Sequence, residues 1–477
     1  MDDRIQGQFV TESDGGRSPL GFSRSEPTDS FPVDTSDVLA SMISEFERTG
    51  LPQSISFRTM VSWIKMGERA THYIHSYPAK LLPQIAHFFL AANQIFDKNG
   101  IVLDPFGGTG TVALEAILSG RNAYYADVNP IARLISSVKT QKISPNELDK
   151  CFIKITSNYN KTRYQKIPNV PNVGHWFGNK EIRDLARLKH AIDEHPDSPI
   201  KNFILVCFSA VVKKVSNADP RLSVPVRRKV FENPASITFN HGLGSPSVWD
   251  AFQSQFHANK KRLLALIETQ KTLGIARCVG TDARHLKIPS RWDRENPRSL
   301  PDGSVDLIIT SPPYAGAQKY IRASSLSLGW LGFLDSNKLT SFEQASIGRE
   351  HLPKSVWCRQ EMTGIATADK IINQIYKKNK LRSAIISTYL LEMKEALAEA
   401  TRALRPGGHL VLVIGNNEVC GAPFTSSEYL EEILHQYGFT TKLKLIDEIK
   451  SRGLMTKRNK SASIIAREWV ILLQKGA

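Results

Sequence analysis

The sequence predicts an α/β fold built on a mostly parallel sheet, closed by an antiparallel hairpin and interrupted by a largely helical insertion. Three observations predict it. First, strand Ile101–Leu103, a Gly-rich turn, helix Val112–Ser119 and strand Ala123–Ala126 follow one another as a β-α-β unit. Second, the alternation breaks from about 141 to 275, where helical stretches such as Glu181–Ile192 and Lys260–Gln270 surround the Pro- and Arg-rich segment Asp219–Lys229. Third, it then resumes with strands Arg277–Gly280 and Val305–Thr310, helix Thr388–Leu404, turn Arg405-Pro406-Gly407-Gly408 and strand His409–Ile414. Segments Thr441–Ile446 and Glu468–Leu473 read as the closing hairpin.

Four regions follow. Residues 1–50 are rich in Ser, Asp, Gly and Pro and read as a flexible acidic lead ending in a short helix near Val38–Ile43. Residues 51–140 form the first part of the sheet domain, 141–275 the inserted helical region, and 276–477 the second part. The net charge of +16 is unevenly spread. Residues 1–50 hold ten acidic against four basic side chains, so the remainder carries about +22, which suits a polyanionic partner or serves solubility alone.

The five cysteines, Cys151, Cys207, Cys278, Cys358 and Cys420, are widely spaced, odd in number and form no Cys-x-x-Cys pair. Neither a disulfide framework nor a metal site is indicated, and a reducing cytoplasm fits. The longest apolar run, Phe203–Val212, falls short of the ~20 residues needed to span a bilayer. The amino terminus lacks a basic-then-apolar leader, so no membrane or secretory role is expected.

Two elements carry chemistry. In Asp104-Pro105-Phe106-Gly107-Gly108-Thr109-Gly110-Thr111 the glycines allow a tight bend and close approach of a ligand, and the following helix presents an amino end that favours a carboxylate. About twenty residues on, the second strand ends in Asp127, the spacing at which an acidic side chain reaches ribose hydroxyls. A structural Gly turn with a surface Asp is the plain alternative. The second element is Thr310-Ser311-Pro312-Pro313-Tyr314 at the end of the run Val305–Ile309. The prolines fix φ and remove amide donors, leaving a carbonyl aimed into a site, while Ser311 offers a hydroxyl and Tyr314 an aromatic face. A Pro-Pro turn after a strand is common by itself. The two elements together suggest a site that grips a small cofactor on one side and a flat, amino-bearing base on the other.

This pairing resembles the S-adenosylmethionine-dependent DNA amino-methyltransferases, which methylate the exocyclic nitrogen of cytosine or adenine. The likeness covers most of residues 55–475 apart from the insert. It implies a Rossmann-like class I methyltransferase sheet with S-adenosyl-L-methionine as cofactor and no metal. Asp-Pro-Phe-x-Gly-x-Gly-Thr is the family's first cofactor motif and Asp127-Val128-Asn129-Pro130 resembles its second, so Asp104 would approach the methionine amine. Thr71-His72-Tyr73-Ile74-His75-Ser76-Tyr77-Pro78-Ala79-Lys80 resembles the segment packed over the methionine end, which marks His75, Tyr77, Pro78 and Lys80. Gly280-Thr281-Asp282-Ala283 resembles the motif whose Asp accepts from the adenine amino group, although Asp282 reads equally as a helix cap. Asn416, after the Arg405–Gly408 turn, is a lesser pocket candidate.

By the same resemblance Ser311, Pro312, Pro313 and Tyr314 are the catalytic residues. Ser in the first position leans toward cytosine N4, whereas Asp there is usual for adenine N6. Carbon-5 methylation is set aside because it needs a cysteine, normally after proline, and none of the five follows one. A tRNA guanine methyltransferase ranks third. The implied partner is double-stranded DNA with a base flipped from the stack, and a cognate restriction endonuclease in a restriction-modification system. Elements that could read flanking bases are Lys213-Lys214, Arg227-Arg228-Lys229 and Lys260-Lys261-Arg262 with Trp176, Phe177 and Trp249 in the insert, or Arg349, Trp357, Arg359 and Lys377-Lys378 after the catalytic motif. Each cluster reads equally as a solvated face.

Overall fold

The computed structural model describes residues 33–64, 69–78, 80–96, 99–163, 165–228, 246–269, 274–288, 298–316, 320–336, 338–358, 360–448 and 467–477. Twelve strands occur among them: β1 Gln53–Ile55, β2 Ile101–Asp104, β3 Asn122–Tyr125, β4 Ala276–Cys278, β5 Lys287–Ile288, β6 Arg298–Ser299, β7 Val305–Thr310, β8 Leu404–Ile414, β9 Asn417–Val419, β10 Ala422–Phe424, β11 Phe439–Glu448 and β12 Arg467–Lys475. Eight form one sheet in the order β1-β11-β12-β8-β7-β2-β3-β4, while β5/β6 and β9/β10 are small antiparallel ribbons. Every strand of the large sheet runs the same way except β12, which is antiparallel to both neighbours. The expected parallel sheet with a closing antiparallel hairpin is therefore present, Rossmann-like, with β8 and β7 at its centre and β2 next to β7.

Period-two alternation explains why the sheet is covered on both faces. Leu307 and Ile309 of β7 and Val411 and Val413 of β8 join one core, with Val102, Phe57, Phe88 and Val112. Ile308, Leu410, Leu412 and Ile414 point the other way into a second core, with Leu103, Tyr389, Met393 and Leu430. A third core fills the helical region: helices Pro145–Lys161, Asn179–Asp193, Pro199–Lys214 and Val248–Thr269 bury Ile155, Leu188, Phe208 and Phe256. The same core takes in Ile135 of helix Pro130–Lys139 and Trp330 of helix Ser325–Trp330. The insert is thus packed directly against the helix that follows β3 and the segment that follows the catalytic motif.

Several boundaries differ from expectation. The long helix begins at Lys380, not Thr388, because the Asn379 side chain caps it by accepting from Arg382 N at 3.0 Å. The last insert helix begins at Val248, its first turns anchored by Trp249 stacked on Tyr159 with ring centroids 4.8 Å apart. Arg405–Gly408 is not a free turn but an excursion within β8: Val305 pairs with Leu404 and Leu307 already with His409. At the amino end, helix Ser36–Thr49 is held by Thr35, whose hydroxyl donates to Phe88 O at 2.6 Å. The expected flexible lead over residues 1–32 lies outside the described residues, as do Ala79, Lys229 and Arg359. All five cysteines are free, and no helix among the described residues is long and apolar enough to cross a membrane.

Candidate active site

Four parallel-strand ends, those of β2, β3, β4 and β7, deliver the site residues to one edge of the sheet, the carboxyl edge where ligands of such sheets bind. β2 ends at Asp104 and the chain turns through Pro105–Gly110 into helix Thr111–Leu118. The glycines answer different demands. Gly110 has φ +71°, and a Cβ there would lie 2.9 Å from Ser136 of the neighbouring helix. Gly108 has φ +50° with nothing within 4 Å of the place a Cβ would occupy, so its backbone faces open space.

Asp127, two residues beyond β3, fixes that turn. Its carboxylate accepts from Gly108 N at 2.9 Å and from Asn129 N at 2.8 Å. Burial nonetheless pushes its pKa up to about 6. Asp104 is more enclosed. It accepts from Thr310 Oγ1 at 2.8 Å and Phe106 N at 3.1 Å, and burial raises it to about 7 despite those donors. The Thr310–Asp104 bond joins the two sequence motifs directly, because β7 and β2 are adjacent. Asn129 caps the next helix through Ile131 N and donates to Tyr77 Oη at 2.9 Å and Ser324 Oγ at 3.1 Å.

A cavity of about 590 Å³ lies over this edge. Of the residues singled out in the sequence, Tyr77, Pro105, Phe106, Gly108, Asp127, Asp282, Ser311 and Pro313 line it. Asp104, Gly107, Gly110 and Pro312 are buried behind that lining. Asp282 is gripped by Arg284 at 2.8 Å, and this partner outweighs burial to hold its carboxyl below the usual range.

His75 and Lys80 are placed elsewhere. His75 Nε2 meets Ser209 Oγ at 3.2 Å on an insert helix, and burial lowers its pKa to about 3. Lys80 Nζ donates to His75 O at 2.6 Å and His72 O at 3.3 Å, and burial lowers it to about 8. These side chains brace the loop that presents Tyr77, and half-buried Pro78 follows it. The loop is also bolted to the Gly-motif helix: Glu115, fully buried, takes a bidentate bond from Arg69 at 2.8 Å and lies 2.7 Å from His72 Nε2. Tyr314 does not line the cavity. Its ring packs on the second core and its hydroxyl donates to Glu468 Oε1 at 3.1 Å, so the stacking face expected of it is used for anchoring. Asn416 accepts from Ser427 N at 2.9 Å and serves a helix start.

The remaining wall is formed by Tyr320, Ile321 and Arg322, then Ile347, Arg349 and His351, of which Arg349 alone was singled out in the sequence, as a reader of flanking bases. Tyr320 stacks on Tyr77 with centroids 6.3 Å apart, and Arg322 bonds Glu343 at 3.0 Å and His351 at 2.8 Å. Of the described residues in the basic clusters, only Arg349 reaches the cavity. Lys213 is tied to Leu222 O and Ser223 O, and Lys260 to Asp149 at 2.6 Å. The insert aromatics are structural too: Trp249 stacks within the core, Trp176 packs against it and Phe177 meets Trp330 edge-on at 5.7 Å.

A Gly-rich turn with an acidic residue at the next strand end, facing Ser311 and Pro313 across one cavity on a Rossmann-like sheet, is the arrangement that the resemblance to S-adenosylmethionine-dependent methyltransferases implies. The donor set fits that cofactor: an open backbone at Gly108, carboxylates at Asp127 and Asp282, and the aromatic ring of Phe106. No protein-family model matches the chain. It is 24% identical to the Type II methyltransferase M.MvaI of Kocuria varians over 412 residues, covering 83% of this chain and 87% of that protein. It is 22% identical to the Type II methyltransferase M.BsoBI of Geobacillus stearothermophilus over 382 residues, covering 70% of this chain and 73% of that one. A solved S-adenosylmethionine-dependent methyltransferase of Methanosarcina mazei aligns with TM-score 0.29 and 11% identity over 83% of this chain and 99% of that one. Over most of its length the chain is thus similar to Type II methyltransferases.

Proposed function

We propose that the chain transfers a methyl group from S-adenosylmethionine to the exocyclic N4 amine of cytosine in double-stranded DNA, as the modification half of a restriction-modification pair. The observation that carries this reading is the shared cavity: Ser311 and Pro313 line it together with Gly108 and Asp127, and Thr310 is bonded to Asp104. The cofactor supplies an activated methyl on a sulfonium. Gly108, Asp127, Phe106 and Asp282 would hold it, with Asp104 drawn toward its amine.

An exocyclic base amine is a poor nucleophile because its lone pair is delocalised into the ring. The protein's task is to accept its hydrogens and align it, which rigid acceptors do without reorganisation. Ser311 and the backbone carbonyl ahead of Pro312 are those acceptors, held at the end of β7 by two prolines and by the anchor from Tyr314 to Glu468. The flipped base would enter beside Tyr77 and Tyr320, whose rings offer the stacking face that Tyr314 does not. Ser311 in place of an aspartate favours cytosine over adenine, and the Type II relatives favour DNA over RNA.

The test is transfer of labelled methyl from S-adenosylmethionine to unmethylated genomic DNA and to total RNA, by wild type and Ser311→Ala. The reading expects label in DNA alone, lost in the variant while cofactor binding persists. Label in RNA alone, or full activity in Ser311→Ala, would overturn it.

A further inference from the structure

Asp282 sits at the head of a chain of ion pairs that does not end in the cavity. Its partner Arg284 also bonds Glu392 Oε1 through Nη1 at 3.2 Å. Glu392 in turn takes Arg349 Nη1 at 2.7 and 2.9 Å on its two oxygens. Asp282 and Arg349 both line the cavity, yet they lie on separate segments, one after β4 and one after the catalytic motif. Glu392 belongs to neither. It stands on helix Lys380–Ala403, which buries Tyr389, Leu390, Met393 and Ala396 in the second core and is therefore a fixed platform.

We propose that Glu392 is a positioning residue for cofactor binding, holding Arg284 behind Asp282 on one part of the cavity wall and Arg349 on another. The inference rests on the reading that places the cofactor beside Asp282. Both partners of the carboxylate and the carboxylate itself are largely shielded, with side-chain exposures of 18% for Arg284, 18% for Arg349 and 13% for Glu392. Such shielding strengthens charge pairing and raises the cost of leaving a charge unpaired. Without the carboxylate two guanidinium groups would converge with no anion between them. Arg284 would still pair with Asp282, but nothing would fix where that pair stands, and the Arg349 segment would be pushed away. Glu395, the next acidic group on the same helix, acts on Arg284 and on Glu392 electrostatically, but no hydrogen bond from it to either guanidinium is present.

The experiment measures S-adenosylhomocysteine affinity by calorimetry, turnover at saturating cofactor, and melting temperature for Glu392→Gln, Glu392→Asp, Arg349→Met and Asp282→Asn. Glu392→Gln should raise Kd about tenfold, as expected for losing one charge-assisted bond, with kcat changed less than about twofold. Glu392→Asp, one methylene shorter but still charged, should recover part of that loss. Arg349→Met should likewise raise Kd, and it carries the test if Glu392→Gln does not fold. An unchanged Kd in Glu392→Gln and Arg349→Met, while Asp282→Asn weakens binding, overturns the inference alone. An unchanged Kd in Asp282→Asn overturns the placement beneath it. Equal falls in kcat and affinity with a collapsed melting temperature would make Glu392 a scaffold residue and likewise overturn the proposal.

Discussion

Replacing Asp127 with Asn is the sharpest probe of the cofactor side, because its two oxygens are each assigned to a backbone amide: Gly108 N at 2.9 Å and Asn129 N at 2.8 Å. Asparagine has one oxygen and one NH2. Whichever way it turns, one of the two amides faces a donor, and the carboxylate charge is gone. Loss of one charge-assisted bond costs roughly 1.5–3 kcal/mol. At about 1.4 kcal/mol per tenfold, this is on the order of 10- to 150-fold in affinity if it falls on the bound state. Part will instead appear as lower stability of the Gly turn, so calorimetry with S-adenosylhomocysteine and thermal melting are read together at pH 7.5. Acidification should reproduce the substitution in wild type. Burial raises Asp127 to about 6, and the ionised form is the one that accepts both amides and can still accept from ribose hydroxyls. Wild-type affinity should therefore fall more steeply as pH drops through about 6 than that of Asp127→Asn, which keeps only the limb contributed by Asp104. A variant that binds within twofold of wild type at pH 7.5 with unchanged melting would refute the assignment of Asp127 to both turn and cofactor.

Other outcomes follow from the same geometry. Asp104, raised to about 7 by burial, should add a second acid limb to cofactor affinity that disappears in Asp104→Asn. Stability of the cofactor-free protein moves the opposite way: a raised carboxyl pKa means folding favours the protonated form, so the contributions of Asp104 and Asp127 are present at acid pH and lost as pH rises through 6 to 7, visible as a melting-temperature profile. Ser311→Ala should lower kcat by about 100-fold or more with cofactor affinity within twofold, by single-turnover methyl transfer. Gly110→Ala combines a left-handed backbone with a Cβ 2.9 Å from Ser136, and should cost about 2–4 kcal/mol in urea unfolding. Glu115→Ala should cost about 3–5 kcal/mol by the same assay, since Arg69 and His72 lose a fully buried partner.

How much of this was legible depends on whether the determinant was local. The β2–turn–helix–β3 unit and the β7 strand end were readable because apolar runs, glycines and prolines dictate backbone shape within a few residues. The pairing of β7 with β2, which bonds Thr310 to Asp104, was not readable, because neither motif sets the order of strands in the sheet. The second cavity wall was not readable. Tyr320, Arg322 and His351 gain their roles only from tertiary packing, and their local sequence reads as a polar loop. For the same reason His75 and Lys80 look like ligand-facing groups in sequence, yet they spend their hydrogen bonds on Ser209 and on backbone carbonyls. The insert aromatics looked like base readers but fill a core shared with helix Pro130–Lys139, and nothing in their spacing distinguishes the two uses. The acidic residues that thread Asp282 to Arg349 through Glu392 are over a hundred positions apart in part, beyond the reach of any local pattern.

The central claim is tested most directly by the identity of the methylated nucleoside. Purified protein is incubated with S-adenosylmethionine and unmethylated genomic DNA, the DNA is digested to nucleosides, and the products are separated and weighed. The account predicts N4-methyldeoxycytidine with wild type and none with Ser311→Ala. N6-methyldeoxyadenosine would contradict the assignment of Ser311 to a cytosine pocket, and no methylated nucleoside from DNA would contradict the reading of the cavity as a DNA methylation site.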